Sequence, residues 1–189
     1  MSFRKWDDYA LVMLLNEQSE LDVSYSPMGV TDQEHTVPGY HYVHGNIDLG
    51  HGQETFERAV RNIQEWKVHQ QVGLNVTTEC LVVTENVEAV FQLRYRCLYV
   101  TIACRVLRVM KKESSWGFIY GTLPHHAEQG EESFVVEHLP NDTVRFTVRA
   151  HSRPGHPLVK LGSPVARHVQ KVINTRYLRA MKDLVNEAS

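Results

Sequence analysis

Hydrophobic positions along the chain recur with two periods, and the switches between them mark out the elements. Residues 3–18 carry Phe3, Trp6, Ala10, Met13 and Leu14 at near-helical spacing, separated by Lys5, Asp7, Asp8 and Glu17, which predicts an amphipathic helix. Residues 24–40 contain Pro27, Gly29, Pro38 and Gly39 with little periodicity and read as an extended loop. Residues 40–49 (YHYVHGNIDL) are aromatic and β-branched enough for a strand despite Gly45. A helix is predicted over 53–66, where Phe56, Ala59, Val60, Ile63 and Trp66 share one face and Glu54 and Glu57 sit near its positive N-terminal end. Gly73 then permits a sharp exit into a sheet.

From here the period falls to two. Alternation predicts strands over 76–82 and 89–95, joined by a hairpin turn at 84–87. Further strands follow over 99–111, over 116–122 with Trp116, Phe118 and Tyr120 on one face, and over 132–138 and 143–151. The last two are separated by Leu139-Pro140-Asn141-Asp142, a strong turn signal. Ser163-Pro164 then supplies a favoured N-cap and first helical residue for a helix running to about residue 186. Its stripe of Val165, Val169, Val172, Ile173, Tyr177, Ala180, Met181, Leu184 and Val185 is wide and needs a broad surface to cover it. Consecutive strands with tight connections make an antiparallel meander. The fold class is therefore α+β: a curved antiparallel sheet of about seven strands gripping a long C-terminal helix, with an extra N-terminal helix.

Composition narrows the functional classes. The 189 residues are enough for one full core, and no repeat, low-complexity tract or linker divides them, so 1–189 reads as a single domain with its N-terminal helix at 3–18 and its core at 38–187. The formal net charge is −2, and Lys and Arg are spread along the chain rather than clustered, which argues against nucleic acid as a partner. No apolar run approaches the length of a membrane span, and Asp7 and Asp8 interrupt the start where a signal peptide would need apolar residues. Cys80, Cys97 and Cys104 form an odd set without CxxC spacing, so neither a disulfide framework nor structural zinc is expected. The compartment rule for thiols places such a chain in the cytoplasm.

The order of elements resembles the helix-grip fold of the START and Bet v 1 superfamily. More specific are Gly117-Phe118-Ile119-Tyr120-Gly121-Thr122-Leu123-Pro124-His125, Gly130-Glu131-Glu132-Ser133-Phe134, Ala150-His151-Ser152-Arg153-Pro154, Pro164-Val165-Ala166-Arg167-His168-Val169-Gln170 and Arg176-Tyr177-Leu178. Together they look like the DUF1990 family, also called UPF0548, whose members have no established activity. The likeness extends back through Gly39-Tyr40, Leu49-Gly50-His51-Gly52, Phe56, Ala59, Trp66, Gly73-Leu74 and Arg105-Val106. At one place the chain departs from the family pattern. The family usually has a glycine between the proline and the histidine of the tight loop, whereas His125 follows Pro124 directly and precedes His126.

The segment 123–130 (LPHHAEQG), bracketed by Tyr120 and Glu131-Glu132, concentrates imidazole, carboxylate and phenol groups at one end of the sheet. Alternation places Glu132 on the face of Phe134 and Val136, toward the interior. A buried carboxylate needs a cation or several donors, and Arg105, Arg153 and Arg167 are the candidates. Arg153 could also meet an anionic head at a cavity mouth. On the C-terminal helix Arg167, Gln170 and Tyr177 share a face. The candidate ligand-binding set is thus Tyr120, Thr122, His125, Glu131, Glu132, Arg105, Arg153, Arg167, Gln170 and Tyr177. His41, His44 and His51 with Asp48 are disfavoured as a metal site because 41 and 44 point to opposite faces of a strand, and His125, His126 and Glu128 read as solvated loop groups. No metal or cofactor is expected.

Three functional readings follow. The first is a binding module for a small hydrophobic or amphipathic ligand enclosed by sheet and helix. It fails if Trp116, Phe118, Phe134 and Phe146 fill the core solid and leave no ligand-sized pocket. The second is a cyclase- or hydrolase-like enzyme with Glu131 or Glu132 as base and Tyr120 or His125 as acid. The third is a structural or partner-binding protein using Trp6 and Tyr9 of the N-terminal helix. Oligomeric state stays open.

Overall fold

The computed structural model describes residues 5–32, 35–95, 98–155 and 163–187, without the side chains of 95, 98 and 163–169. Strands β1 (His41–His51), β2 (Leu74–Thr78), β3 (Glu88–Tyr95), β4 (Leu98–Lys112), β5 (Ser115–Thr122), β6 (Glu128–His138) and β7 (Thr143–Pro154) form one antiparallel sheet in the order β1-β7-β6-β5-β4-β3-β2. Helices are α1 (Asp8–Ser19), α2 (Gln53–Gln64), α3 (Lys67–Gln71) and α4 (Ser163–Asn186). Among the described residues no helix is long and apolar enough to cross a membrane.

Alternation along the strands divides the molecule into two packed faces. On the inner face Phe91, Cys104, Val106, Trp116, Phe118, Tyr120, Phe134, Val136, Phe146 and Val148 pack with Phe56, Ile63 and Trp66 of the α2 region and with Tyr177, Met181 and Val185 of α4. Helix α4 crosses β1 at Gly45, where a Cβ would lie 2.8 Å from Asn174 Oδ1 and 2.9 Å from a Leu178 methyl. The glycine that is unfavourable for a strand is therefore what lets the helix sit down on the sheet.

The outer face carries α1. Asp7 caps it by accepting a hydrogen bond from the Ala10 N–H at 2.9 Å. Its buried side is Leu11, Leu14 and Leu15 against Val90, Ala103 and Leu123, with Trp6 at the margin. The predicted face is rotated: Leu11 is fully buried, whereas Met13, placed inward by spacing alone, is exposed together with Tyr9 and Val12. One side of the helix thus covers its own sheet, which speaks against the partner-binding reading, while Tyr9, Val12 and Met13 leave an exposed apolar strip on the other side, which speaks for it.

Other expectations need correction in their bounds. The helix over 53–66 ends at Gln64, Trp66 turns with φ 58°, and the short α3 follows. The strand over 76–82 stops at Thr78 and the hairpin at 84–87 is part of a longer connection. There Val83 leaves the ladder, donating its N–H to the Gln64 carbonyl at 2.8 Å, while Leu81 is 89% exposed. β6 and β7 run further than predicted, to Glu128 and Pro154, and so carry the candidate residues on regular strand.

Candidate functional site

Glu132 stands on the inner face of β6, opposite Tyr120 of β5 and Ala150 of β7. The Tyr120 phenol donates a short hydrogen bond to Glu132 Oε2. Burial, and to a smaller extent the charge of Glu128, raises the Glu132 carboxyl to about 7, against the opposing pull of the Tyr120 bond. Burial and the neighbouring Glu132 also push the phenols of Tyr120 and Tyr177 well above their ordinary value. Burial raises the Cys104 thiol in the same neighbourhood, with Glu132 again contributing.

A second carboxyl lies on the same face. Burial raises Glu128 above the usual range, and a bond from the Ser152 hydroxyl partly offsets this. That hydroxyl accepts from Gln170 Nε2 of α4 at 2.9 Å, so Gln170, Ser152 and Glu128 form a relay between helix and sheet. The remaining capacity of this region is unused. Gln170 Oε1 and Asn174 Nδ2 are buried without a hydrogen-bond partner among the described residues.

Deeper inside, His69 of α3 is fully buried, and neither ring nitrogen has a partner among the described residues. Aromatic rings surround it: Phe134 at 4.8 Å, Trp66 and Tyr177 at 5.1 Å, Phe91 at 5.4 Å, Phe118 and Tyr120 at 6.1 Å. Burial lowers its pKa to about 3, so the imidazole is neutral at physiological pH.

Several sequence candidates lie elsewhere. Glu131 points to the outer face, where it accepts from the Tyr25 hydroxyl at 2.8 Å, the Gly29 N–H at 2.6 Å, and the Thr31 N–H and hydroxyl at 3.1 and 2.8 Å. These donors come from residues 25–31, for which the sequence pattern predicts only an extended loop. They carry one side of a cleft of about 670 Å³ lined by Tyr25, Met28, Arg105, Leu107, Arg108 and Ile119. A register shift between Val106 and Arg108 turns both Leu107 and Arg108 outward into it.

Arg105 does not join Glu132. It pairs with Glu88 at 2.5 Å and donates to the Ser19 carbonyl at 2.7 Å, tying the end of α1 to the sheet. Arg108 forms an ion pair with Asp32. Thr122 accepts from the Gly130 N–H at 3.0 Å and shares a bond with Ser24 at 2.8 Å. His125 lies against Trp6, with ring centroids 5.5 Å apart, and donates its backbone N–H to Gln18 Oε1 at 2.9 Å. Arg153 sits over the Tyr40 ring at 5.0 Å. The Arg167 side chain lies outside the described residues.

The structure therefore brings together Tyr120, Glu132, Tyr177 and Gln170 on the inner face and leaves Glu131, Arg105 and His125 on the outer one. Sequence reasoning missed His69, Ser152 and Asn174 as members of the inner group. Asn174 was within reach, since it lies four residues after Gln170 and three before Tyr177, on the same helical face. His69 gave no signal, because a lone histidine in a five-residue helix has no readable periodicity. Among the described residues no group of three or more His, Cys, Asp or Glu is arranged to hold a metal.

Comparison with known proteins shows the family and the fold. Residues 24–180 match a family model described as a domain of unknown function, DUF1990. A UPF0548 protein of Dictyostelium discoideum is 28% identical, covering 89% of this chain and 88% of its own, and one of Arabidopsis thaliana is 26% identical over 74% and 71%. Among solved structures, human STARD10 superposes with a TM-score of 0.54 at 10% identity, covering 98% of this chain and 82% of its own. A hypothetical protein of Helicobacter pylori gives 0.58 at 12% identity over 79% and 88%. At such identities the likeness is one of fold, the helix grip of the START type.

Proposed function

The chain belongs to the DUF1990 family, and from that premise we propose that it binds a small amphipathic ligand between the sheet and α4. The observation that carries this reading is the polar cluster at one end of an otherwise aromatic interior. Glu132 and Glu128 are held there by Tyr120 and Ser152, and Gln170 Oε1 and Asn174 Nδ2 are buried with no hydrogen-bond partner among the described residues. Buried polar groups left without partners cost about 1–3 kcal/mol each. A ligand supplying those partners recovers that cost. The outer cleft lacks this feature, since Arg105, Arg108 and Glu131 there already engage Glu88, Asp32 and the 25–31 segment.

The aromatic block sets the limit on ligand size. Trp116, Phe118, Phe134 and Phe146 are buried, with Phe118 and Phe134 centroids at 5.2 Å, so the middle of the grip is protein, which counts against a large cavity and confines the binding reading to the polar end. The ligand is accordingly compact, its apolar part against the rings and its polar group at Glu132 and Gln170.

Native mass spectrometry of the protein purified from its own host tests the proposal. The expected result is a small molecule lost on denaturation from the wild-type chain and missing from Glu132→Gln. Equal native and denatured masses, together with no uptake of a hydrophobic fluorophore, overturn it.

A second reading rests on one observation, a carboxyl held near 7 in contact with a phenol. Such a pair is suited to general acid–base chemistry at neutral pH. Turnover of the identified ligand, abolished by Glu132→Gln with binding retained, would establish it.

A further inference from the structure

Helix α1 is apolar on both of its sides. One side packs on the sheet through Leu11, Leu14 and Leu15, and a surface helix of this kind ordinarily turns polar groups to solvent on the other. Here that other side carries Tyr9, Val12 and Met13, 76%, 45% and 51% exposed. Seven large hydrophobic residues are exposed among the described ones, and five of them, these three with Leu21 and Met28, fall between residues 9 and 28. Just past the end of α1 the surface becomes concave. Arg105, which donates to the Ser19 carbonyl, also lines the outer cleft, where Val23, Met28, Leu107 and Ile119 supply apolar surface.

Charge along this stretch is one-sided. Residues 1–32 hold six acidic side chains against two basic ones, Arg4 and Lys5, for a net of −4, whereas the rest of the chain holds 16 acidic and 18 basic and nets +2. Tyr9, Val12, Met13, Asn16 and Glu20 recur at spacings of three and four, and Glu20 keeps helical φ and ψ as the C-cap. The apolar strip therefore runs into a carboxylate along one face of α1, with Glu17 beside it and Asp22 at the cleft. A helix C-terminus favours cations, yet the last turn of α1 holds no basic residue and does hold Glu17. The cleft arginines are already matched, Arg105 with Glu88 and Arg108 with Asp32, while Glu17, Glu20 and Asp22 are exposed.

We propose that this face docks a basic amphipathic segment of a partner protein. Its apolar side chains lie on Tyr9, Val12 and Met13 and in the cleft, and its Lys or Arg side chains meet Glu17, Glu20 and Asp22. Complementary charge of this kind selects the partner and steers its approach, and an exposed methionine adapts to the apolar surface laid on it. An anionic lipid surface has the wrong sign for these carboxylates. A second copy of this chain brings the same negative charge to the contact.

Fluorescence anisotropy of a labelled helical peptide, with Leu at positions i, i+3, i+4 and i+7 and Lys at the others, tests the proposal on the full chain. The peptide is expected to bind at least about tenfold tighter than the same peptide with Glu for Lys or with its order scrambled, and more weakly as salt rises. Val12→Ser with Met13→Ser, and Glu17→Lys with Glu20→Lys, are surface changes to be checked for folding by circular dichroism. Each pair should weaken the Lys peptide about tenfold, whereas Leu81→Ser, at an exposed apolar position elsewhere, should leave it within about twofold. No binding of the Lys peptide, equal binding of the Lys and Glu peptides, or binding that survives both paired variants overturns the proposal. Sedimentation with phosphatidylserine vesicles that is lost in Val12→Ser with Met13→Ser overturns it in favour of a membrane. A dimer that the same variant dissociates overturns it in favour of a second copy.

Discussion

Glu131 and Glu132 are consecutive on β6 and face opposite sides of the sheet. Glu131 satisfies four donors from residues 25–31 on the outer face, whereas Glu132 meets the Tyr120 phenol among aromatic rings on the inner one. The first carboxylate is spent on holding a segment in place. The second is left with capacity for chemistry.

Glu131→Ala leaves the Tyr25 hydroxyl, two backbone N–H groups and the Thr31 hydroxyl without their acceptor. A loss of about 3 kcal/mol is expected in urea unfolding. Amide exchange should speed up across residues 25–31 and not in β5. Unchanged exchange there would show that the segment is held by other contacts.

The Glu132 carboxyl makes stability depend on pH. Its folded pKa, about 7, lies above the ordinary value of 4.5, so the folded chain holds the proton more tightly. Stability from this group is fully present below about pH 4.5 and is lost as pH rises through about 7. His69 and His126, lowered by burial to about 3 and about 4, act in the opposite sense: their contribution is present above 6.5 and is lost as pH falls. The difference between wild type and Glu132→Gln isolates the carboxyl. The variant should gain on the order of 2 kcal/mol over wild type at pH 8 relative to pH 5. Parallel pH profiles for the two proteins would refute the raised value.

His69→Phe exchanges an imidazole with two unpartnered nitrogens for a ring that suits its aromatic surroundings. The ligand-free protein should gain about 1–3 kcal/mol at pH 7, and more at pH 4 where protonation of His69 opposes folding. Calorimetric melting at the two pH values decides it, and a loss of stability would mean that the ring nitrogens have partners in solution.

Gly45→Ala places a methyl group within 3 Å of both Asn174 and Leu178. Overpacking of this kind costs about 1–3 kcal/mol. Because the strain falls on the contact between β1 and α4, Asn174→Ala in the same chain should recover part of the loss. Additive losses in the double variant would place the strain elsewhere.

Much of the architecture is legible in the chain itself. The stretch from 99 to 151 alternates with period two and ends in marked turns, so β4 to β7 are recognisable, as is the start of α4 at Ser163. Alternation alone also puts Glu132 on the face of Phe134 and Val136, where the fold has it. It fails at 79–82, where the predicted strand stops at Thr78 because the chain is drawn off by the Val83 N–H bond to the Gln64 carbonyl, a partner that local pattern cannot indicate. The buried face of α1 escapes spacing for a related reason: Val90, Ala103 and Leu123, far away in sequence, select Leu11 over Met13.

The sequence by itself determined the periods, the turns and, where only one face of a strand is apolar, the side that turns inward, because side-chain direction follows from backbone geometry within a few residues. Only the tertiary structure decided what each inward or outward group meets. Arg105 chose Glu88 and the end of α1 over Glu132; residues 25–31 closed over Glu131 from about a hundred positions upstream; His69 came to rest among six aromatic rings. Those pairings depend on contacts between distant segments, and such contacts are set by strand register and by what packs on each face of the sheet rather than by any local spacing.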